Sequence, residues 1–271
     1  MRIRASVAVV TGALALSALS VPSAQAADGG LDFPGTSGPS AYSSGAGKIT
    51  KVTVNGGKNV VVGLGKKKFT VEVSASSKGG VAFALAMLWR GSNADVPANY
   101  LNYEPLTSDP CKYTRTTATC KYTVVADPKT ELANEDAGKW KVYAAAADED
   151  MMVVAEKENY KTVKVQRAAK ATVNASPEPV KKGKTLTVTG SVTRASWDNN
   201  KYNGFASGSV NLQYKKLGTS RWKTLKTVSA DSRGKIKTTT KATSDGYYRF
   251  QYAGSTTTGY AASVADKIDV R

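Results

Sequence analysis

The chain contains no histidine and only two cysteines among its 271 residues. Without an imidazole it cannot assemble a Ser-His-Asp triad, a Cys-His pair or a His-ligated metal centre. It also lacks a glycine loop of the phosphate-cradling kind and a dinucleotide fingerprint. Its serines sit in turn-like contexts, none on a strand-to-helix elbow. Glu104, Asp109, Glu156 and Glu158 show no spacing that marks two of them as an acid–base pair. Long apolar runs are missing too, apart from one at the start, so nothing after it reaches the ~20 residues that a membrane helix needs. These absences point to a non-catalytic protein.

What is present begins with an export signal. Arg2 and Arg4 supply positive charge, an apolar run follows from Ala5 to Val21, and Ala24-Gln25-Ala26 is a small-residue cleavage site. Thr11, Gly12, Ser17 and Ser20 interrupt the run, which suits a signal removed after Ala26 better than a retained helix. No cysteine stands near that site to carry a lipid, so the chain is expected to be secreted and extracellular. Residues 27–47, rich in Gly, Ser, Pro and Ala, read as a flexible leader. In an exported protein, Cys111 and Cys120 read as a disulfide. The repeated CKYT on either side of RTTAT suggests a hairpin with the bridge across its mouth, worth roughly 2–3 kcal/mol for so short a loop.

Positive charge is in excess, with 38 Lys and Arg against 21 Asp and Glu. It is unevenly spread: residues 48–168 hold 18 basic and 13 acidic residues, whereas residues 169–271 hold 18 and 6, a net +12. Such a field attracts polyanions and weakens with salt. Export puts genomic nucleic acid out of reach, so the expected partners are an anionic cell-wall polymer or an extracellular protein. The oligomeric state is not legible.

From Lys48 the sequence becomes short β-branched runs separated by Gly, Asn and Asp. KITKVTV, KFTVEVSA and KWKVYAA alternate with period 2, the mark of half-buried strands. VAFALAMLW (81–89) fits a buried strand or a short helix, and Asp127-Pro128 opens a single helical turn that Gly138 would end. After a join at 167–170, about seven strand-sized pieces follow, the number in an immunoglobulin-like sandwich. Pro177 and Pro179 suit its first, edge strand. Residues 53–73 align weakly with 172–190, and Gly138-Lys139-Trp140-Lys141-Val142 echoes Gly246-Tyr247-Tyr248-Arg249-Phe250. The expected fold class is all-β, two tandem Ig-like β-sandwich domains over 48–168 and 169–271.

Pro179-Val180-Lys181-Lys182-Gly183, LTVTG (186–190) and DGYYRFQYAG (245–254) carry a resemblance. The second half resembles bacterial Ig-like modules of exported Gram-positive proteins. The mature chain as a whole is similar to uncharacterised actinobacterial secreted proteins with two such domains, some labelled calcium-binding. These are framework motifs, so the resemblance implies a fold and no catalytic residues.

Three constellations compete as sites. Lys215, Lys235, Lys237 and Lys241 alternate with apolar residues, and Lys223 and Arg249 are candidates to join them, which predicts a cationic face for polyanion binding, although which strands neighbour which is not legible; the alternative is a solvated face whose lysines guard strand edges. The aromatic loop 196–208 offers Trp197, Asp198, Asn200, Tyr202 and Phe205 as a ligand loop, or as a cap on the core. Asp95 and the triplet Asp148, Glu149 and Asp150 are candidate calcium ligands, or a solvated turn. Asp198-Asn199-Asn200 is not an EF-hand start, since Tyr202 and Asn203 occupy the positions of a ligand and the turn glycine. The resulting expectation is a non-catalytic protein with no cofactor that captures envelope polymers. A calcium-dependent structural module and a protease inhibitor presenting the loop 90–110 are the alternatives.

Overall fold

The computed structural model describes residues 47–95 and 97–271. The expected signal (1–26) and the leader (27–47, save Gly47) lie outside the described residues. The described backbone is strand joined by turns, with 3-10 turns at Asn55–Gly57 and Asn134–Asp136. No described helix is long and apolar enough to cross a membrane.

Nine strands form a first pair of sheets: β1 (Lys48–Val54), β2 (Val60–Val62), β3 (Lys67–Ser76), β4 (Phe83–Arg90), β5 (Asn99–Tyr100), β6 (Cys111–Tyr113), β7 (Thr117–Ala126), β8 (Gly138–Ala147) and β9 (Val153–Arg167). One sheet has the order β1-β3-β7-β6 and the other β2-β9-β8-β4-β5. The first reproduces the A-B-E-D sheet of an immunoglobulin domain, and β4, β8 and β9 stand as its C, F and G strands. Period-2 alternation drives this: Phe69, Val71, Val73 and Ala75 of β3 are buried, while Thr70, Glu72 and Ser74 between them are not. Of the run 81–89, residues 83–89 lie in the strand β4. Its alternation is masked because both sides are covered: Ala84, Ala86 and Leu88 enter the main core, while Met87 and Trp89 pack with Ala94, Tyr143 and Ala145 outside it. The predicted helical turn is only partly formed. Asp127 O accepts Glu131 N–H, a 3-10 turn follows, and Gly138 already begins β8.

The second pair comprises β10 (Ala169–Ser176), β11 (Thr185–Ser196), β12 (Lys201–Gly204), β13 (Ser207–Lys216), β14 (Lys223–Ala230), β15 (Lys235–Lys241), β16 (Gly246–Tyr252), β17 (Ala261–Ala262) and β18 (Asp266–Ile268). In one sheet β11 pairs with β10 on one side and with β12 and β15 on the other; the second has the order β14-β13-β16-β17, with β18 also on β16. Pro177 and Pro179 follow β10 rather than lying in it. Leu186, Val188, Val210, Leu212, Ile236 and Phe250 meet between these sheets. The echoed glycine–aromatic segments open the corresponding strands β8 and β16.

The two sandwiches join tightly. Only Ala168 separates β9 from β10, and its N–H donates to Val62 O at 2.8 Å while its carbonyl accepts Ala195 N–H at 2.8 Å. Ala195 and Trp197 pack into the first core. From the other side, the 255–259 turn closes on β9. Arg167 N–H donates to Thr257 O at 3.0 Å, Gly259 N–H donates to Arg167 O at 2.9 Å, and Gln166 Nε2 donates to Thr258 O at 3.4 Å.

Candidate functional site

The register of β13 against β16 builds the best-formed polar surface. Val210, Leu212 and Tyr214 point inward with their partners Tyr252, Phe250 and Tyr248. By alternation, Asn211, Gln213 and Lys215 point outward, opposite Gln251, Arg249 and Tyr247. Hydrogen bonds run across this outer face in rows. Thr227 Oγ1 donates to Asn211 Oδ1 at 2.8 Å, and Asn211 Nδ2 donates to Gln251 Oε1 at 3.1 Å. Gln213 Nε2 donates to Thr224 Oγ1 at 3.2 Å, and Arg249 Nε donates to Gln213 Oε1 at 2.8 Å.

At one end of the rows stands Trp222, just ahead of β14. The Arg249 guanidinium lies 4.0 Å from its ring centroid, and Lys215 Nζ lies 5.1 Å from the same ring and 4.9 Å from that of Tyr247. Arg249 is thus fixed by an acceptor at Nε and an aromatic plane, leaving its terminal NH2 groups for an oxyanion. Among the described residues, neither Arg249 nor Lys215 pairs with a carboxylate. A fixed guanidinium beside an ammonium, without an internal counter-ion, suits carboxylate or phosphodiester groups.

The six predicted cations do not share one face. Lys235, Lys237 and Lys241 are exposed on β15, which pairs with β11 in the opposite sheet. Because Ile236 enters the same core as Leu212 and Phe250, the β15 lysines look the other way from Lys215 and Arg249. Their neighbours on β11 are small hydroxyls: Lys241 opposite Thr185, Lys237 opposite Thr189 and Lys235 opposite Ser191. Lys223 stands on the edge strand β14. Alternation was readable from the sequence, but which strands share a sheet was not.

The predicted ligand loop is the joint. Trp197 is 2% exposed, and its Nε1 donates to Gly63 O at 3.1 Å and Val62 O at 3.3 Å. Phe205 is buried beneath Arg194, whose guanidinium lies 4.8 Å from its ring. Neither ring is open to stack on a sugar. Asp198 is occupied by Asn134, accepting its backbone N–H at 2.9 Å and its side-chain amide at 2.6 Å. Tyr202 is half-buried under Lys170 Nζ, 4.0 Å from its centroid, and Asn200 is exposed in a turn at φ 52°. Asn134 is not legible in the sequence, because its partners Ser196, Trp197 and Asp198 lie beyond the join in the chain.

The four calcium candidates do not converge. β4 and β8 run antiparallel with Phe83 opposite Ala147 and Trp89 opposite Lys141. Asp95, beyond Arg90, therefore lies at the opposite end of the sheet from Asp148, Glu149 and Asp150. Asp148 caps its own turn, accepting Met152 N–H at 2.9 Å. Among the described residues no three His, Cys, Asp or Glu side chains gather as a metal site. Cys111 and Cys120 are bonded directly across β6 and β7, as the hairpin reading expected. Within the predicted inhibitory loop, Leu106 is 58% exposed between anchored ends: Tyr103 bridges Val124, and Cys111 carries the disulfide.

Neither a protein-family model nor a curated protein matches the chain. Among solved structures it is similar to a marsupial T cell receptor, at 13% identity over 83% of this chain and 73% of the other, with a TM-score of 0.36. The fibronectin(III)-like modules of CbhA from Clostridium thermocellum share 17% identity over 81% and 93%, at 0.30. The D00-D0 domain of intimin shares 14% over 80% and 99%, at 0.28. Function has to be read from this chain's own residues.

Proposed function

We propose that the chain is an exported, non-catalytic binding protein that associates with anionic cell-envelope polymers through the outer face of its second sandwich. The observation that carries this reading is Arg249, held between Trp222 and Gln213 beside Lys215 with no carboxylate partner among the described residues. Around it, the net +12 of residues 169–271 supplies long-range attraction. The Asn211, Gln213 and Gln251 amides supply donors and acceptors for hydroxyl groups along a chain. Specificity would come from the fixed guanidinium and on-rate from the field.

The test is a pull-down of labelled protein on purified Gram-positive cell wall, with and without the wall's anionic polymers, at low and high salt. Capture that is lost with the polymers and with salt supports the proposal. Undiminished capture on stripped wall, or none on either, overturns it. A second reading, protease inhibition, has one specific observation in its favour: the exposed Leu106 between anchored ends. A stable complex with an exported protease, abolished by Leu106→Gly, would establish it.

A further inference from the structure

Arg167, the last residue of β9, is an anomaly in the joint. It is 8% exposed, and its Nε is sealed from solvent with no hydrogen-bond partner. Among the described residues no protein group accepts a hydrogen bond from its side chain at all. A buried Nε–H without an acceptor is costly, and native interiors seldom leave one so. Its backbone is fixed on both sides, with Arg167 N–H on Thr257 O and Arg167 O on Gly259 N–H, so the side chain cannot swing out by shifting the strand.

A second cation sits beside it. Arg194 precedes Ala195, which bonds Ala168, and Arg194 Nη1 reaches Thr258 Oγ1 at 3.3 Å. Thr258 is itself fully buried and forms a parallel bridge with Arg167. Burial first, and then the field of Arg194, holds the Arg167 guanidinium below its usual proton affinity, with Asp198 acting weakly the other way. Asp198 makes its own hydrogen bonds to Asn134, not to either arginine. Arg194 thus bonds the buried hydroxyl of Thr258, whose backbone bridges Arg167, so both arginines meet the 255–259 turn where β9 and β11 join; among the described residues no carboxylate is bonded to either.

We propose that Arg167, Arg194 and Thr258 form a binding site for an oxyanion, of the phosphate, sulfate or carboxylate kind, in the joint between the sandwiches. The anion accepts the hydrogen bonds that Arg167 cannot make within the protein and neutralises the pair of cations. Because its ligands come from β9 on one side and from β11 and the 255–259 turn on the other, its occupancy ties the sandwiches together. This site is separate from the outer face around Arg249.

The test titrates the protein with inorganic phosphate and, separately, dimethyl phosphate, against chloride at constant ionic strength. The readouts are the arginine Nε–Hε resonances and the melting temperature. The expected result is a saturable shift of the Arg167 signal and a saturable rise in melting temperature. Arg194→Gln weakens the response about tenfold, the scale of one charge-assisted hydrogen bond. Arg167→Met abolishes it and leaves the melting temperature in chloride equal or higher, since an unpaired buried charge is replaced by an apolar chain. Lys215→Gln with Arg249→Gln leaves it intact. A response to inorganic phosphate alone identifies a free ion; a response to dimethyl phosphate as well points to a polymer phosphodiester. No saturable shift in the unaltered protein overturns the proposal. So does a response that survives in both Arg167→Met and Arg194→Gln, or one lost with Lys215 and Arg249.

Discussion

An indole in an apolar interior needs an acceptor for its single N–H, and three of the four tryptophans find one on the backbone. Trp89 uses Glu158 O at 3.2 Å, Trp140 uses Asp136 O at 2.8 Å, and Trp197 uses Val62 and Gly63. Trp140 at the start of β8 thereby pins the β7–β8 corner, as a tyrosine does in immunoglobulin domains. Trp140→Phe removes the donor and part of the volume, and should cost about 2–3 kcal/mol in urea denaturation. Tyrosines set the alkaline limit. Burial foremost, with the neighbouring Tyr113 and Asp109, pushes Tyr122 up to about 12, and burial with Tyr214 does the same for Tyr248. A phenol whose folded value exceeds its unfolded value of about 10 contributes stability that is intact below that pH. That stability is lost as pH rises from about 10 to 12. The melting temperature should therefore fall steeply across that window, in step with phenolate absorbance, and Tyr122→Phe should make the fall shallower. With no histidine in the chain, no imidazole titration adds a step near pH 6.5.

Strands obey alternation one at a time, and that much is legible in the sequence. The inward sets of β3, β13 and β16 are the apolar sets that the sequence displays. Pairing is not local, so alternation alone does not tell that the lysines of β15 and the pair Lys215–Arg249 belong to opposite sheets. Trp222 and Tyr247 do not stand out in the sequence for the same reason: the pairing of β14 and β16 with β13 is what brings them to Lys215 and Arg249. The two faces can be weighed separately on the anionic cell wall. Arg249→Gln with Lys215→Gln removes two charges and should reduce capture at least tenfold. Lys235→Glu, Lys237→Glu and Lys241→Glu together change the charge by six yet should lower it less than that, mainly at low salt. The reverse ranking would move the binding surface to the β11–β15 sheet.

At the scale of the molecule, the joint was the least legible part. The aromatic loop reads locally as a ligand loop, since Val62, Gly63 and Asn134, which occupy it, come from the other sandwich. Because Ala195 and Trp197 complete the first core, the two sandwiches should melt in one calorimetric transition. Trp197→Ala should split it in two and cost about 3–5 kcal/mol. The way the chain enters and leaves each sandwich has a mechanical consequence. β2 lies parallel to β9 from Val60 opposite Val165 to Val62 opposite Arg167. In the second sandwich Val180 lies parallel to Val270, donating to Asp269 O at 3.0 Å and accepting from Arg271 N–H at 2.9 Å. A pull on the two ends loads these parallel contacts in shear, so their hydrogen bonds must rupture together rather than peel one by one. Single-molecule stretching should give high, discrete rupture events, and Val180→Pro, which deletes the donor to Asp269, should lower those of the second sandwich. A tether built this way would bear tension without lengthening until it yields.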